Sequence, residues 1–120
     1  MTRARETSEN ARQAKAWVNF DGTFGSSPFT LANGGIRGAF NVSSVTDNSA
    51  GNYTVNFTEA MSDTNYVISV TVGGTSGTAL LRILDDVTAR TASAFRLGTF
   101  SIASTFPSTD ASQVNCAVFG

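Results

Sequence analysis

Hydrophobic and polar residues alternate with a period of two along two neighbouring stretches in the middle of the chain. Phe40 and Val42 alternate with polar residues in the first stretch, and residues 53–57 alternate in the same way. Residues 47–52, which are rich in Asp, Asn and Gly, interrupt the pattern. Since successive side chains of a strand point to opposite faces of a sheet, the pattern predicts two strands joined by a turn, with Phe40 and Val42 on one face.

Further β-prone stretches follow one another along the rest of the chain, separated by turn signals such as Asp-Gly, Asn-Gly and a Gly-rich segment at 73–77. They lie at 17–20, 66–72, 79–84, 93–97, 99–103 and 114–119. Short strands at this spacing predict an all-β fold. We expect an antiparallel, jelly-roll-like β-sandwich over residues 16–120.

The chain is rich in phenylalanine, and most of these residues fall in the predicted strands. We expect the strand phenylalanines to form the core: Phe20, Phe40, Phe57, Phe95, Phe100 and Phe119. Phe24 and Phe29 instead lie in a loop rich in Gly, Ser and Pro, where an aromatic ring needs a surface to pack against. We predict a subunit interface formed by Trp17, Phe20, Phe24 and Phe29, with capping of the core within one subunit as the alternative for the two loop residues.

Residues 1–15 differ in composition from the rest of the chain. They contain four of the eight basic residues and neither glycine, proline nor an aromatic residue. Arg5 and Glu9 have the i,i+4 spacing of a helical ion pair, although no apolar stripe accompanies them. We expect a short N-terminal arm or helix that serves trimerisation or anchoring, the alternative being a frayed tail.

Composition excludes several classes of function. Charged residues make up 14% of the chain, against about 25% in an average domain, and the net charge is −1. We therefore expect no binding to nucleic acid, which usually requires a basic excess or a basic stripe. No apolar run reaches the length that crosses a bilayer, and none follows the basic N-terminus, so we expect neither membrane insertion nor a secretory signal.

The usual residues of catalysis and metal binding are scarce. The chain contains no histidine and a single cysteine, Cys116, whose place in an alternating strand predicts a buried small side chain. Asp85 and Asp86 are the one adjacent pair of carboxylates, and they lack the spacing of a calcium loop. We expect no enzymatic activity, no catalytic residues, no metal and no cofactor.

Several segments together resemble a domain that is common at the C-terminal ends of tail fibres of tailed bacteriophages and in related virion proteins. The similar segments are 14–23, 36–57, 60–66, 95–97 and 114–120. They span nearly the whole of residues 14–120. The resemblance implies a β-rich, usually trimeric virion domain at an exposed end of a fibre, where the host surface is bound, and it implies no catalytic residues.

The resemblance leads to two functional expectations. The first is a homotrimeric phage virion protein, a short tail-fibre or fibre-tip subunit that is anchored to other virion proteins through its arm and binds a host-surface glycan or protein. Asp85, Asp86 and Arg90 make residues 85–92 the expected attachment loop. Fibre proteins usually carry a long shaft before this domain, whereas here a short arm precedes it. The alternative is therefore a decoration or knob protein on the virion head.

Overall fold

The structure is a computed structural model that describes residues 13–73, 80–101 and 108–120, with the backbone alone for residues 80–87. The described residues form eight strands in two four-stranded sheets, and every pairing between neighbouring strands is antiparallel. The prediction of an all-β sandwich is confirmed, with the strand number of a jelly roll. Residues 1–12 of the predicted arm and residues 74–77 of the predicted Gly-rich turn lie outside the described residues.

The strands follow one another as β1 (Ala16–Phe20), β2 (Ile36–Phe40), β3 (Val42–Ser49), β4 (Asn52–Phe57), β5 (Val67–Gly73), β6 (Leu80–Asp86), β7 (Ala94–Ser101) and β8 (Gln113–Phe119). A single turn of 3₁₀ helix, Val87–Ala89, follows β6. The first sheet has the strand order β2-β1-β8-β5, and the second has the order β3-β4-β7-β6. The stretch expected at 93–97 and the described part of the one expected at 99–103 fall in one strand, β7, and residues 102 and 103 lie outside the described residues. None of the described residues forms a helix long and apolar enough to cross a membrane.

The core lies between the two sheets and consists of the inward-facing residues of nearly every strand. Its largest fully buried side chains include Phe20, Phe29, Tyr53, Phe95 and Leu97. The rings pack in tilted and edge-on arrangements, with the Phe20 and Tyr53 centroids 5.2 Å apart. Cys116 is buried among these residues as predicted, and burial raises the pKa of its thiol to about 12.

Two of the six phenylalanines expected in the core are on the surface, and this prediction was wrong for them. Phe40 is 54% exposed and Phe119 is 37% exposed. The alternation of buried and exposed side chains is interrupted after Phe40, because the next residue, Asn41, has a φ of 55°. This left-handed backbone ends β2 and sends the chain from the first sheet into the second. Phe40 and Val42 therefore face in different directions, although they alternate in the sequence.

A buried hydrogen-bond cluster closes one end of the sandwich. The Tyr53 hydroxyl lies 2.9 Å from the carbonyl oxygen of Gly22 and 2.8 Å from Oδ1 of Asp110. The same carboxylate oxygen accepts a hydrogen bond from the Gly51 N–H. Burial, followed by the charge of Asp110, raises the pKa of Asp47, and one oxygen of the Asp47 carboxylate is buried without a hydrogen-bond partner. The ionised form of Asp47 is thus unfavourable in the folded state.

Asp47→Asn is expected to raise the melting temperature at pH 7. Because folding raises the pKa of Asp47 above 3.8, the folded state is favoured by protonation. That stability is fully present below the pKa of the unfolded chain and is lost as pH rises through the pKa of the folded state. Melting curves of both proteins between pH 3 and pH 7 would measure this. We expect the two curves to converge at acid pH, and a lower melting temperature for the variant at pH 7 would contradict the assignment.

Candidate interaction surface

An exposed apolar face lies on the outer side of the first sheet, where a monomer would normally place polar residues. Four large side chains form it, namely Trp17 (44% exposed), Phe40 (54%), Val67 (62%) and Phe119 (37%). We refer to these four residues as the apolar face. Scattered exposed hydrophobic residues are ordinary, whereas a group on one face of one sheet is typical of an interaction surface.

The strand register brings these four residues together. Trp17 of β1 lies opposite Phe40 of β2 on one side and opposite Ala117 of β8 on the other. One row further along, Phe119 lies opposite Val67 of β5. The Cβ atoms of two residues that lie directly opposite each other are about 5 Å apart, so their side chains are in contact range. Each of the four strands contributes one residue, and the apolar face therefore crosses the whole sheet.

Glycine at position 38 makes room for the indole ring of Trp17. A Cβ atom at Gly38 would lie 3.3 Å from Cζ3 of Trp17, closer than ordinary van der Waals contact. The ring thus lies close to the backbone of β2 at Gly38, two residues before Phe40. This packing holds the indole on the sheet while 44% of Trp17 stays exposed to solvent.

Asn41 holds the crossover that turns Phe40 outwards. Its side-chain amide donates hydrogen bonds to the carbonyl oxygens of Lys15, at 3.2 Å, and Glu59, at 3.1 Å. Its Oδ1 accepts a hydrogen bond of 2.7 Å from the Glu59 N–H. Asparagine tolerates positive φ better than most residues, and here its side chain also ties three chain segments together. Asn41 therefore acts as a positioning residue for the apolar face.

The outer side of β3 and β4 in the second sheet provides an internal comparison, because its side chains are polar. Asn56 donates to the hydroxyl oxygens of Ser44 and Thr46, at 3.2 and 3.1 Å. Asn48 donates to the hydroxyl oxygen of Thr54 at 2.8 Å. These side chains satisfy one another and face water. The outer side of β3 and β4 thus lacks the exposed large hydrophobic residues that form the apolar face.

Arg37 borders the apolar face on its polar side. Its guanidinium donates to Oδ1 of Asn19, to Oε1 of Gln113 and to the carbonyl oxygen of Ser112, at 2.8 to 3.1 Å. It also lies 3.8 Å from a carboxylate oxygen of Asp21. The bulge in β2 at this residue directs the side chain back across the sheet. A hydrogen-bonding rim around an apolar centre is the usual organisation of an interface.

An open groove of about 700 Å³ borders the apolar face at its other end. Residues 13–15, Phe40, Asn41, residues 58–63 and Tyr66 line it, together with the C-terminal Gly120. The lining includes the charged side chains of Lys15, Glu59 and Asp63. The chain has no histidine, so the groove lacks the commonest general base and offers polar and charged groups for binding.

Two of the three predicted attachment residues lie in a strand and not in a loop. Asp85 and Asp86 end β6, where their backbones pair with Leu97 and Arg96 of β7, so the loop boundary at residue 85 was wrong. Arg90 lies beyond the 3₁₀ turn. Its guanidinium carbon is 4.6 Å from the ring centre of Tyr66, and Nη1 donates a 2.6 Å hydrogen bond to the Tyr66 carbonyl oxygen. Arg90 thus fastens its loop to Tyr66, and replacing it would disturb packing as well as any attachment.

Two of the four residues of the predicted subunit interface are buried within one chain. Trp17 is exposed as an interface residue must be, whereas Phe20 and Phe29 are fully buried within one chain. Phe29 is held there by two backbone hydrogen bonds with Val45 of β3, and Phe24 packs edge-on against it at 5.8 Å. Phe29 therefore follows the alternative, capping of the core, and together with Phe20 it has no surface to offer a second subunit.

Sequence reasoning missed three members of the apolar face. Val67 could have been found, because it alternates with Ile68, Val70 and Val72 and shares its side of the strand with Ser69 and Thr71. Phe119 could also have been found, because it lies on the side of its strand opposite to the alternating residues Val114, Cys116 and Val118. Phe40 carries no such signal, since it alternates with polar residues as core residues do.

Comparison with known proteins identifies no relative: no family model, no curated protein and no solved structure matches the chain. The apolar face and the groove are thus the structural grounds for a functional proposal.

Proposed function

We propose that this protein is a structural subunit of a bacteriophage virion, part of a short tail fibre or of a fibre tip, and that it contributes to attachment to the host. The observation that carries the structural role is the apolar face. Four large hydrophobic side chains exposed on one sheet favour permanent contact with another protein chain. The virion assignment rests on the resemblance of residues 14–120 to the C-terminal domains of tail fibres.

The proposed assembly is a homotrimer in which the apolar face of each chain is covered by its neighbours. Of the interface residues expected from the sequence, Trp17 is kept in this proposal. Phe20 and Phe29 are buried and are left out, and the exposed Phe40 and Phe119 are included instead. The low content of charged residues suits this role, because few long side chains lose conformational freedom when subunits pack together. Residues 1–15 would connect the trimer to other virion proteins.

Immunogold electron microscopy of virions that carry this chain tests the proposal. We expect a serum raised against the purified chain to label the tail or the ends of its fibres, and to lose that labelling after adsorption with the same chain. Labelling spread over the head would replace the fibre assignment with the alternative, a decoration protein. If the intact and the adsorbed serum label virions equally, the virion assignment is wrong.

A further inference from the structure

Strand β5 forms one edge of the first sheet, and among the four edge strands it alone has no charged residue. Its sequence, Val67–Gly73, contains no proline either. The other edge strands each carry at least one charge: Arg37 in β2, Asp47 in β3, and Arg82 with two aspartates in β6. Charges and prolines on edge strands normally prevent pairing with other chains. The β5 edge lacks both safeguards.

The backbone of β5 is paired on one side. Within the described residues its ladder runs to β8 alone, from Val67 opposite Phe119 to Gly73 opposite Gln113. In an antiparallel sheet, the N–H and C=O groups of alternate residues point away from that partner. Seven residues of regular strand therefore offer a row of backbone donors and acceptors to a further antiparallel strand.

The inward-facing hydrophobic side chains of β5 are incompletely covered at this edge. Ile68, Val70 and Val72 face the core and pack against it, yet they are only partly buried. Ser69 and Thr71 face outwards and are exposed. A further strand beside β5 would extend the inner layer and cover the three hydrophobic side chains, which is the usual source of stability in an edge contact.

We propose that β5 pairs in antiparallel register with the β5 of a second copy of this chain, about a two-fold axis at Val70. This register pairs all seven residues and keeps each face of the sheet continuous. It places Ile68 beside Val72 of the copy and Ser69 beside Thr71. A two-fold contact sets a surface against itself, so any unbalanced charge would repel its counterpart. A neutral strand fits a second copy for that reason, and the two first sheets join into one sheet of eight strands.

The contact is separate from the assembly proposed above and does not depend on the virion assignment. It uses the backbone edge of β5, whereas the proposed trimer uses outward-facing side chains, of which only that of Val67 belongs to β5. If the trimer forms, the β5 contact joins two trimers. If no trimer forms, it joins two single chains. In both cases, loss of the contact halves the mass of the particle.

Two double variants test the pairing. Both change residues 69 and 71, and we expect one to break the contact and the other to keep it. Ser69→Lys with Thr71→Lys places two pairs of like charges directly across the two-fold axis. Ser69→Lys with Thr71→Glu places opposite charges there instead. We expect the first variant to halve the mass seen by analytical ultracentrifugation and to raise the dissociation constant about tenfold or more. The second should retain the mass of the parent protein.

Hydrogen exchange of the parent protein provides a measurement that needs no substitution. Amides of residues 67–73 should be protected at high concentration and lose part of that protection on dilution, while residues 53–57 of the central strand β4 should not change. Equal masses for the parent and both variants would overturn the proposal. So would amide protection in β5 that is independent of concentration.

Discussion

Gly51→Ala is expected to lower the free energy of unfolding by more than about 3 kcal/mol, enough to unfold much of the protein. Gly51 lies in the turn between β3 and β4 with a φ of 64°, a conformation that costs other residues about 1 kcal/mol or more. A Cβ atom there would also lie 2.5 Å from the carbonyl oxygen of Thr99 and 2.6 Å from the backbone nitrogen of Thr109. Both are backbone atoms of neighbouring segments, so neither can move aside alone.

The hydrogen bonds of Gly51 explain why the neighbouring backbone segments lie so close to its Cα atom. Its N–H donates to Asp110 and its carbonyl oxygen accepts from the Thr99 N–H at 2.8 Å. Shifting the turn to admit a methyl group would break these bonds and disturb the contact of Asp110 with the Tyr53 hydroxyl. The cost of the substitution thus combines backbone strain with lost hydrogen bonds in a buried region.

Gly34→Ala is the matched control for this prediction. Gly34 also has a positive φ, 87°, but a Cβ atom there would meet nothing within 4 Å. We expect it to cost about 1 kcal/mol, the conformational part alone. Chemical denaturation of both variants, followed by circular dichroism, compares them directly. If Gly51→Ala costs no more than Gly34→Ala, the close packing assigned to the turn is wrong.

Phe20→Ala is expected to lower the free energy of unfolding by about 3–5 kcal/mol, the usual cost of removing a buried phenylalanine. Phe20 is fully buried, and its ring packs against Tyr53 edge-on and against Phe29 at 6.1 Å. Removing the ring would leave a cavity at the centre of the aromatic cluster. The two neighbouring rings belong to different parts of the chain, so the cavity cannot close by a local movement.

Phe40→Ala is the control with the same change at the surface. Because Phe40 is 54% exposed, we expect the substitution to cost less than about 1 kcal/mol. Chemical denaturation measures the free energy of unfolding of both variants. The protein concentration should be low enough to keep the chains separate, so that the values refer to single chains. Similar losses for Phe20→Ala and Phe40→Ala would contradict the division between the core and the apolar face.

The fold class and most strand positions could be predicted because they depend on local patterns. Alternation marks β1, β4 and β8, and positive φ at Gly34 and Gly51 agrees with the turns expected there. These features arise from interactions between residues close in sequence. The boundary between β2 and β3 could not be predicted in the same way, because alternation continues unbroken through Asn41.

The candidate interaction surface was predicted less well than the fold. Trp17 was chosen for the interface and is exposed, but Phe20 and Phe29 were chosen with it and are buried. An aromatic residue in a loop indicates that it needs a packing partner without saying whether that partner is the same chain. For Phe29 the partner is β3, through a bridge to Val45 that joins residues far apart in sequence.

The sequence by itself determined that the chain forms an antiparallel β-sandwich, that Cys116 is buried, and which residues share a side within regular strands such as β4 and β8. The tertiary structure decided which of those sides faces the core. That choice depends on the sheet each strand joins, and between Phe40 and Val42 the sheet changes at the left-handed backbone of Asn41, which its hydrogen bonds hold. Pairing of β2 with β1 therefore exposed Phe40, because period-two alternation defines two faces but does not say which of them meets another sheet.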